Sequence, residues 1–146
     1  MMRIFILLGI GIASTSCATF RPGISEISSF RSDACSMFPE GTFGNGDLWE
    51  ECCVEHDIAY WQGGTVADRL AADERLRECV EQKTGNRVLA RMMYDGVRAG
   101  GSPSFPTWYR WAYGWPSGRP YGPLSEAERR QVTDKLEGYH GSRAMP

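Results

Sequence analysis

Residues 52–60 read CCVEHDIAY, and this stretch decides the expected fold. It contains no glycine or proline and lies between two helix signals. Asp47, with Glu50 three positions later, has the pattern of an N-terminal capping box. The glycine pair at 63 and 64 is typical of a helix end. We therefore predict a helix over residues 48–62.

A second helix follows almost immediately. Thr65, with Asp68 three residues later, repeats the capping pattern and predicts a helix that continues to about residue 83. A connection this short returns the chain on itself, so we expect the two helices to form an antiparallel hairpin.

The first helix carries chemically useful side chains on neighbouring faces. Cys52, His56 and Tyr60 are spaced by one helical turn and share one stripe. Asp57 projects about 100° away from His56. This arrangement allows the imidazole to act on a water molecule while the carboxylate holds a cation. Alone, a histidine beside an aspartate is more often structural.

The hairpin brings two pairs of residues to equal height. Cys52 and Cys79 have their midpoint at the predicted turn, and so do His56 and Asp73. In antiparallel helices such residues lie opposite each other. The hairpin is therefore compatible with a Cys52–Cys79 disulfide and a His56–Asp73 hydrogen bond.

The N-terminus has the layout of an export signal. A positive start is followed by a short apolar run and small residues, so we assign residues 1–18 to a signal and residues 19–146 to a single domain. The Ser16-Cys17 pair partly resembles a bacterial lipobox, in which Cys17 would be acylated. The alternative is ordinary cleavage after Ala18. The expected location is secreted, periplasmic or lipid-anchored in a bacterial envelope.

Either cleavage leaves an even number of cysteines. The chain has 5 cysteines, and loss of Cys17 from the thiol count leaves Cys35, Cys52, Cys53 and Cys79. In an exported chain this predicts two disulfides, and adjacent cysteines rarely pair, so two connectivities remain. If Cys52 pairs with Cys79, as the hairpin allows, Cys53 pairs with Cys35. A zinc site using Cys52 and His56 has suitable spacing but is disfavoured by export.

The motif resembles the active-site helix of secreted phospholipase A2 enzymes, in a short form closest to microbial members. The resemblance covers residues 35–79 and rests on Cys-Cys-x-x-His-Asp with Tyr60 four residues after His56, and on Asp73 with Cys79 six residues later. It implies a mainly α fold built on a disulfide-stapled helical hairpin.

The resemblance also implies roles for individual residues. His56 would be the general base, and Tyr60 and Asp73 would hold its second imidazole nitrogen. Asp57 would bind Ca²⁺ together with backbone carbonyls in the loop 35–42. Such oxygen ligands suit Ca²⁺, which can polarise an ester carbonyl. The loop itself departs from the glycine-rich sequence common in the family.

The resulting expectation is calcium-dependent hydrolysis of the sn-2 ester of a glycerophospholipid at a membrane or micelle interface. The atypical loop favours an alternative, a catalytically inactive binding module on the same scaffold. A structural envelope lipoprotein is a third possibility. A net charge of −2 gives no electrostatic reason to expect nucleic-acid binding.

The other segments predict a mainly α chain. We expect a short helix near residues 24–30, a third helix over residues 86–99 and a fourth from Ser125 to Gly138. In the third helix, the apolar face would consist of Leu89, Met92, Met93 and Val97.

Aromatic residues crowd into the irregular stretch 100–123, where only residues 109–115 alternate as a strand would. These rings would serve either to bind a lipid interface or to cover the core, and the prolines favour the core. Three arginines in this stretch and its flank could contact lipid phosphates, but we expect them to be solvated surface charges: Arg98, Arg110 and Arg119.

Overall fold

The computed structural model describes residues 25–35 and 38–143. These residues contain four helices: α1 (Glu50–Gln62), α2 (Val66–Thr84), α3 (Arg87–Gly100) and α4 (Glu126–Arg143). Within them the only β pairing is an isolated bridge between Thr42 and Asn45, so the predicted mainly α class is confirmed. The predicted export signal and Cys17 lie outside the described residues.

Helix α1 begins later than predicted, because packing rather than capping sets its start. Trp49 occupies the N-cap position with no side-chain cap, so the capping box expected at Asp47 is wrong. The Trp49 indole is buried and donates to the Pro39 carbonyl at 2.7 Å, while its backbone N–H donates to Glu40 at 3.0 Å. These bonds anchor the start of α1 to the preceding loop.

The turn between α1 and α2 is the one predicted. Gly63 and Gly64 both have positive φ, at 71° and 145°, which favours glycine. Thr65 and Asp68 form a reciprocal capping box at the start of α2. Cys52 and Cys79, which pair across α1 and α2, both lie far from this turn. His56 and Asp73, which also face each other, both lie nearer to it. The two helices therefore run antiparallel.

Both predicted disulfides are present. Cys35 bonds to Cys53 with a Cα–Cα distance of 5.2 Å, and Cys52 bonds to Cys79 with one of 5.8 Å. Adjacent half-cystines therefore tie α1 to two different segments, the loop before it and helix α2. Because Cys52 is oxidised, the zinc alternative is wrong. Two disulfides indicate folding in an oxidising compartment.

Helix α3 packs against α2. The Asn86 side chain caps its start by accepting from the Leu89 N–H at 3.0 Å. Leu89, Met93 and Val97 pack against the core formed with the disulfides. Met92 is 56 % exposed, so its predicted place on the apolar face is wrong.

The segment before Cys35 is irregular rather than helical. Residues 25–33 have no regular secondary structure, which corrects the short helix expected there; Ile24 lies outside the described residues. Ile27 and Phe30 are nevertheless buried. The segment is held by a backbone hydrogen bond from Ser28 to Gly114, 2.8 Å long. Its apolar residues were recognisable, but their spacing did not determine a helix.

The aromatic segment wraps the end of α1 in turns and forms no strand, so the alternation at residues 109–115 was misleading. Trp111 and Trp115 are almost fully buried and belong to the core. Their indole N–H groups donate to the carbonyls of Gly64 and Gln62, at 3.0 and 2.8 Å. The core role is therefore confirmed for these rings.

Arg110 and Arg119, two of the arginines expected to be solvated, instead bind other groups of the protein. Arg110 is 8 % exposed and donates to three carbonyls, those of Trp111, Ala112 and Trp115. Arg119 pairs with Glu128 at 2.5 Å and lies over the Trp115 ring. Both predictions of a free surface charge are wrong. Arg110 supplies donors to carbonyl oxygens that the turn directs inward, and Arg119 is held by the Glu128 carboxylate.

Helix α4 starts as predicted and ends later. Ser125 and Glu128 form the expected capping pair. The helix continues through Gly138 to Arg143, since Val132 is buried and residues on the same face further along pack on the core. That packing outweighs the low helix propensity of Gly138 and Gly141, which costs about 1 kcal/mol for each glycine. Among the described residues, no helix is long and apolar enough to cross a membrane.

Candidate functional site

The centre of the site is a buried pair formed across α1 and α2. His56 Nε2 lies 2.8 Å from Asp73 Oδ1, and the side chains are 7 % and 0 % exposed. A carboxylate at this position requires a proton on Nε2, so neutral His56 carries its free lone pair on Nδ1. The described residues give Nδ1 no hydrogen-bond partner. The register expected from the sequence is therefore confirmed at this pair.

Tyr60 contributes to the pair through Asp73. Its hydroxyl donates to Asp73 Oδ1 at 2.8 Å, and its ring lies against the imidazole with centroids 4.2 Å apart. Burial, reinforced by the charge of Asp73, raises the pKa of Tyr60, which keeps the hydroxyl protonated. Tyr60 thus supports the carboxylate, and does not contact the imidazole nitrogen as the resemblance implied.

Asp73, which lies on α2, accepts hydrogen bonds from side chains of the two other helices of the site, α1 and α3. Besides His56 and Tyr60, Arg98 on α3 donates to its second oxygen at 2.7 Å. Burial would raise the pKa of Asp73, but these hydrogen bonds outweigh it and hold the pKa below its usual value. Arg98 is a partner of this buried carboxylate, so the expectation of a solvated charge is wrong.

Arg69 is a member of the network that was not predicted from the sequence. It is 4 % exposed on α2, and its Nε donates to the Tyr60 hydroxyl at 3.0 Å. Arg69 lies four residues before Asp73, and this helical spacing was the available signal. Arginines are so often exposed that spacing alone did not distinguish it.

A cavity of about 320 Å³ opens beside the pair. His56, Asp57 and Tyr60 form its polar part. Most of its other side chains are apolar, among them Phe38, Leu76, Met93, Val97 and Tyr109. An apolar cavity with a few convergent polar groups is typical of a ligand site.

Asp57 lies in this cavity with a protein partner already in place. It is 8 % exposed, and the Ser32 hydroxyl donates to its Oδ2 at 2.6 Å. Burial raises the pKa of Asp57 to about 7, an effect opposed by the Ser32 hydrogen bond and reinforced by the charge of Asp33. In the absence of a cation, the Asp57 carboxyl group is therefore partly protonated near neutral pH.

Among the described residues at the cavity, Asp57 is the one clear candidate ligand for Ca²⁺. A carboxylate beside a hydroxyl, at the edge of a cavity, has the hard oxygen chemistry that Ca²⁺ prefers. The described residues contain no group of three or more histidine, cysteine or acidic side chains arranged for a metal. The rest of a calcium shell would have to come from backbone carbonyls and water.

Much of the loop 35–42 has its carbonyls committed elsewhere. The Cys35 carbonyl accepts from the Phe38 N–H, the Thr42 carbonyl accepts from Asn45, and those of Pro39 and Glu40 accept from Trp49. Residues 36 and 37, also expected in the calcium loop, lie outside the described residues. The loop reaches the cavity at Cys35 and Phe38.

Neither a family model nor a curated protein or solved structure gives a significant match to this chain.

Proposed function

We propose that this chain hydrolyses the sn-2 ester of glycerophospholipids in a calcium-dependent reaction, in the manner of secreted phospholipase A2 enzymes. The observation that carries the proposal is the His56–Asp73 hydrogen bond of 2.8 Å at the edge of an apolar cavity. It gives a buried, oriented imidazole with one nitrogen left for chemistry, next to space suited to an acyl chain.

In this reaction His56 acts as the base. Its Nδ1 takes a proton from a water molecule while the water oxygen bonds to the ester carbonyl carbon. The imidazolium that forms is stabilised by Asp73, which stays ionised because hydrogen bonds lower its pKa. The proton then passes to the departing glycerol oxygen as the ester C–O bond breaks. The products are a fatty acid and a lysophospholipid, so the atoms balance without an acyl-enzyme.

Asp57 would hold the calcium ion, assisted by backbone carbonyls of the loop 35–42. When bound, the ion would polarise the ester carbonyl and neutralise the charge that develops on its oxygen. Binding at Asp57 requires displacement of the proton that this carboxylate holds near neutral pH. We therefore expect calcium affinity to increase with pH between about 6 and 8.

A lipid interface is supported by two exposed aromatic side chains in the segment that contains Tyr109. Trp108 is 66 % exposed and Phe105 is 49 % exposed. The Trp108 ring packs edge-on against Tyr109, which lines the cavity. Tryptophan favours the boundary between water and lipid. The aromatic segment would thus have both roles considered from the sequence, with its outer rings facing lipid.

The second candidate is a binding module that has lost catalysis. It is favoured by the carbonyls of Pro39 and Glu40, which Trp49 already occupies, and by the proton affinity of Asp57. In this case the cavity would still take an acyl chain, but Ca²⁺ would not bind. A structural envelope lipoprotein would depend on acylation of Cys17.

Fatty-acid release from mixed micelles tests the proposal. His56→Ala should abolish release while circular dichroism shows an unchanged fold, because it removes the base and no disulfide. The matched control is His140→Ala, since His140 is the other of the 2 histidines and lies away from the site on α4. Full activity in a folded His56→Ala protein would refute the site.

The calcium step is tested with Asp57→Asn and with chelation of wild type. Both should abolish release, and calorimetric titration should show Ca²⁺ binding to wild type only. Tyr60→Phe and Asp73→Asn should cost less than His56→Ala, because these residues orient the base. A wild-type protein that is inert with Ca²⁺ on every phospholipid tried would favour the binding module.

A further inference from the structure

We propose that Arg69 is a positioning residue for the His56–Asp73 pair, and this inference rests on the function proposed above. Arg69 is 4 % exposed, yet the nearest carboxylate, that of Asp73, lies 3.9 Å from its Nε. Burying a guanidinium without a contacting carboxylate is costly, and hydrogen-bond acceptors must offset that cost.

The acceptors of Arg69 come from three parts of the chain. Its Nε donates to the Tyr60 hydroxyl on α1 at 3.0 Å, and one terminal nitrogen donates to the Tyr121 hydroxyl at 2.8 Å. The other terminal nitrogen donates to the carbonyls of Val97 and Arg98, both at 2.9 Å. These carbonyls belong to the last turn of α3, where a cation is favoured.

This arrangement determines where the Tyr60 proton points. A guanidinium only donates, so the Tyr60 oxygen accepts from Arg69 and directs its own proton elsewhere. Two acceptors lie within reach of that proton: Asp73 Oδ1 at 2.8 Å and the Val97 carbonyl at 3.3 Å. The Val97 carbonyl already accepts from Arg69 and from the Gly101 N–H, which together occupy its two lone pairs, so the proton is left to Asp73.

The consequence reaches the base through Asp73. With Tyr60 donating to the same Oδ1 that accepts from His56, the carboxylate is held in one orientation toward Nε2. That orientation keeps the proton on Nε2 and the lone pair on Nδ1. A lysine supplies its three donors from a single point and cannot span these acceptors as the planar guanidinium does.

The test compares Arg69→Lys with Arg110→Lys. Arg110 is a matched control because it is similarly buried but donates only to carbonyls of the aromatic segment. Arg69→Lys should lower kcat for phospholipid hydrolysis about tenfold with little change in KM, as is typical for residues that orient a site. Arg110→Lys should lower thermal stability and leave kcat of the folded protein unchanged.

A double-mutant cycle with Tyr60→Phe shows whether Arg69 acts through Tyr60. In the Tyr60→Phe background, Arg69→Lys should change kcat less than twofold. An undiminished tenfold loss in that background would overturn the proposal, as would wild-type kcat in folded Arg69→Lys or an equal kcat loss in Arg110→Lys. If Arg69→Lys does not fold, Tyr121→Phe can be used instead, because it removes one acceptor of the same guanidinium. Tyr121→Phe should lower kcat two- to threefold, and an unchanged kcat would overturn the proposal.

A measurement without substrate separates this inference from the proposed function. The Nε2–H of His56 should give a low-field proton NMR signal that His56→Ala removes. Arg69→Lys should broaden that signal through faster exchange, and Arg110→Lys should not. An unchanged signal in Arg69→Lys would overturn the inference. If wild type hydrolyses no phospholipid, the proposed function fails while this comparison still decides the role of Arg69.

Discussion

The buried carboxylate of Asp57 should make the calcium-free protein less stable as the pH rises. Its pKa is about 7 in the folded chain, whereas an aspartate in the unfolded chain has its ordinary pKa of 3.8. Between these values the folded state binds a proton that the unfolded state has lost. Stability therefore falls with increasing pH, because proton binding favours the folded state only while the proton is available.

The size of the effect follows from the two pKa values. Proton linkage at Asp57 amounts to about 2 to 3 kcal/mol between pH 5 and pH 8, because each unit of pKa difference is worth about 1.4 kcal/mol. Asp57→Asn mimics the protonated acid and still accepts from Ser32. The free energy of unfolding of Asp57→Asn, minus that of wild type, should therefore increase by about 2 to 3 kcal/mol over this range.

Urea denaturation at pH 5, 6, 7 and 8 in excess chelator measures this difference. Taking the difference between the two proteins cancels the pH-dependent contributions that they share. A difference that stays flat or decreases with pH would refute the reasoning. Added Ca²⁺ should restore wild-type stability at pH 8 and leave Asp57→Asn unchanged, since a ligand that binds only the folded state stabilises it.

Three other perturbations test contacts that stabilise the fold. Gly101→Ala would place a Cβ 2.6 Å from the Tyr60 hydroxyl and should reduce both fatty-acid release and stability, the latter by about 1 to 3 kcal/mol in thermal unfolding. Removing the Cys52–Cys79 bond with a double alanine variant should cost about 3 to 4 kcal/mol in urea denaturation, given a separation of 27 residues. A hydrogen bond from Arg119 lowers the pKa of Glu128 to about 2 in the folded chain. The stability that ionised Glu128 contributes is therefore present above pH 4.5 and is lost as the pH falls through 2. Glu128→Gln should accordingly be less stable than wild type at pH 6 and approach it at pH 2, and equal losses at both pH values would contradict this.

The parts of the structure governed by local rules were predictable from the sequence. The turn after α1 follows from two adjacent glycines, and the cap of α2 follows from Thr65 and Asp68. Helical periodicity placed His56 opposite Asp73, and with that register the cysteine pairing followed. Each of these inferences uses residues close in sequence or two helices joined by a very short turn.

Long-range packing decided what the sequence did not reveal. Trp49 determines where α1 begins because it bonds to a loop ten residues earlier. In the sequence, Arg98 and Arg110 cannot be distinguished from ordinary surface charges. In the fold, Arg98 binds the buried carboxylate of Asp73 and Arg110 binds carbonyls that face inward. Ser32 reaches Asp57 from 25 residues away, which no local pattern indicates.

The burial of four indoles has an optical consequence. The chain has 5 tryptophans, and Trp49, Trp61, Trp111 and Trp115 are each at most 4 % exposed, whereas Trp108 is 66 % exposed. Collisional quenchers in water therefore have direct access to the fluorescence of one tryptophan alone. Its ring packs against a residue that lines the cavity, so Trp108 is a built-in fluorophore for whatever approaches that opening.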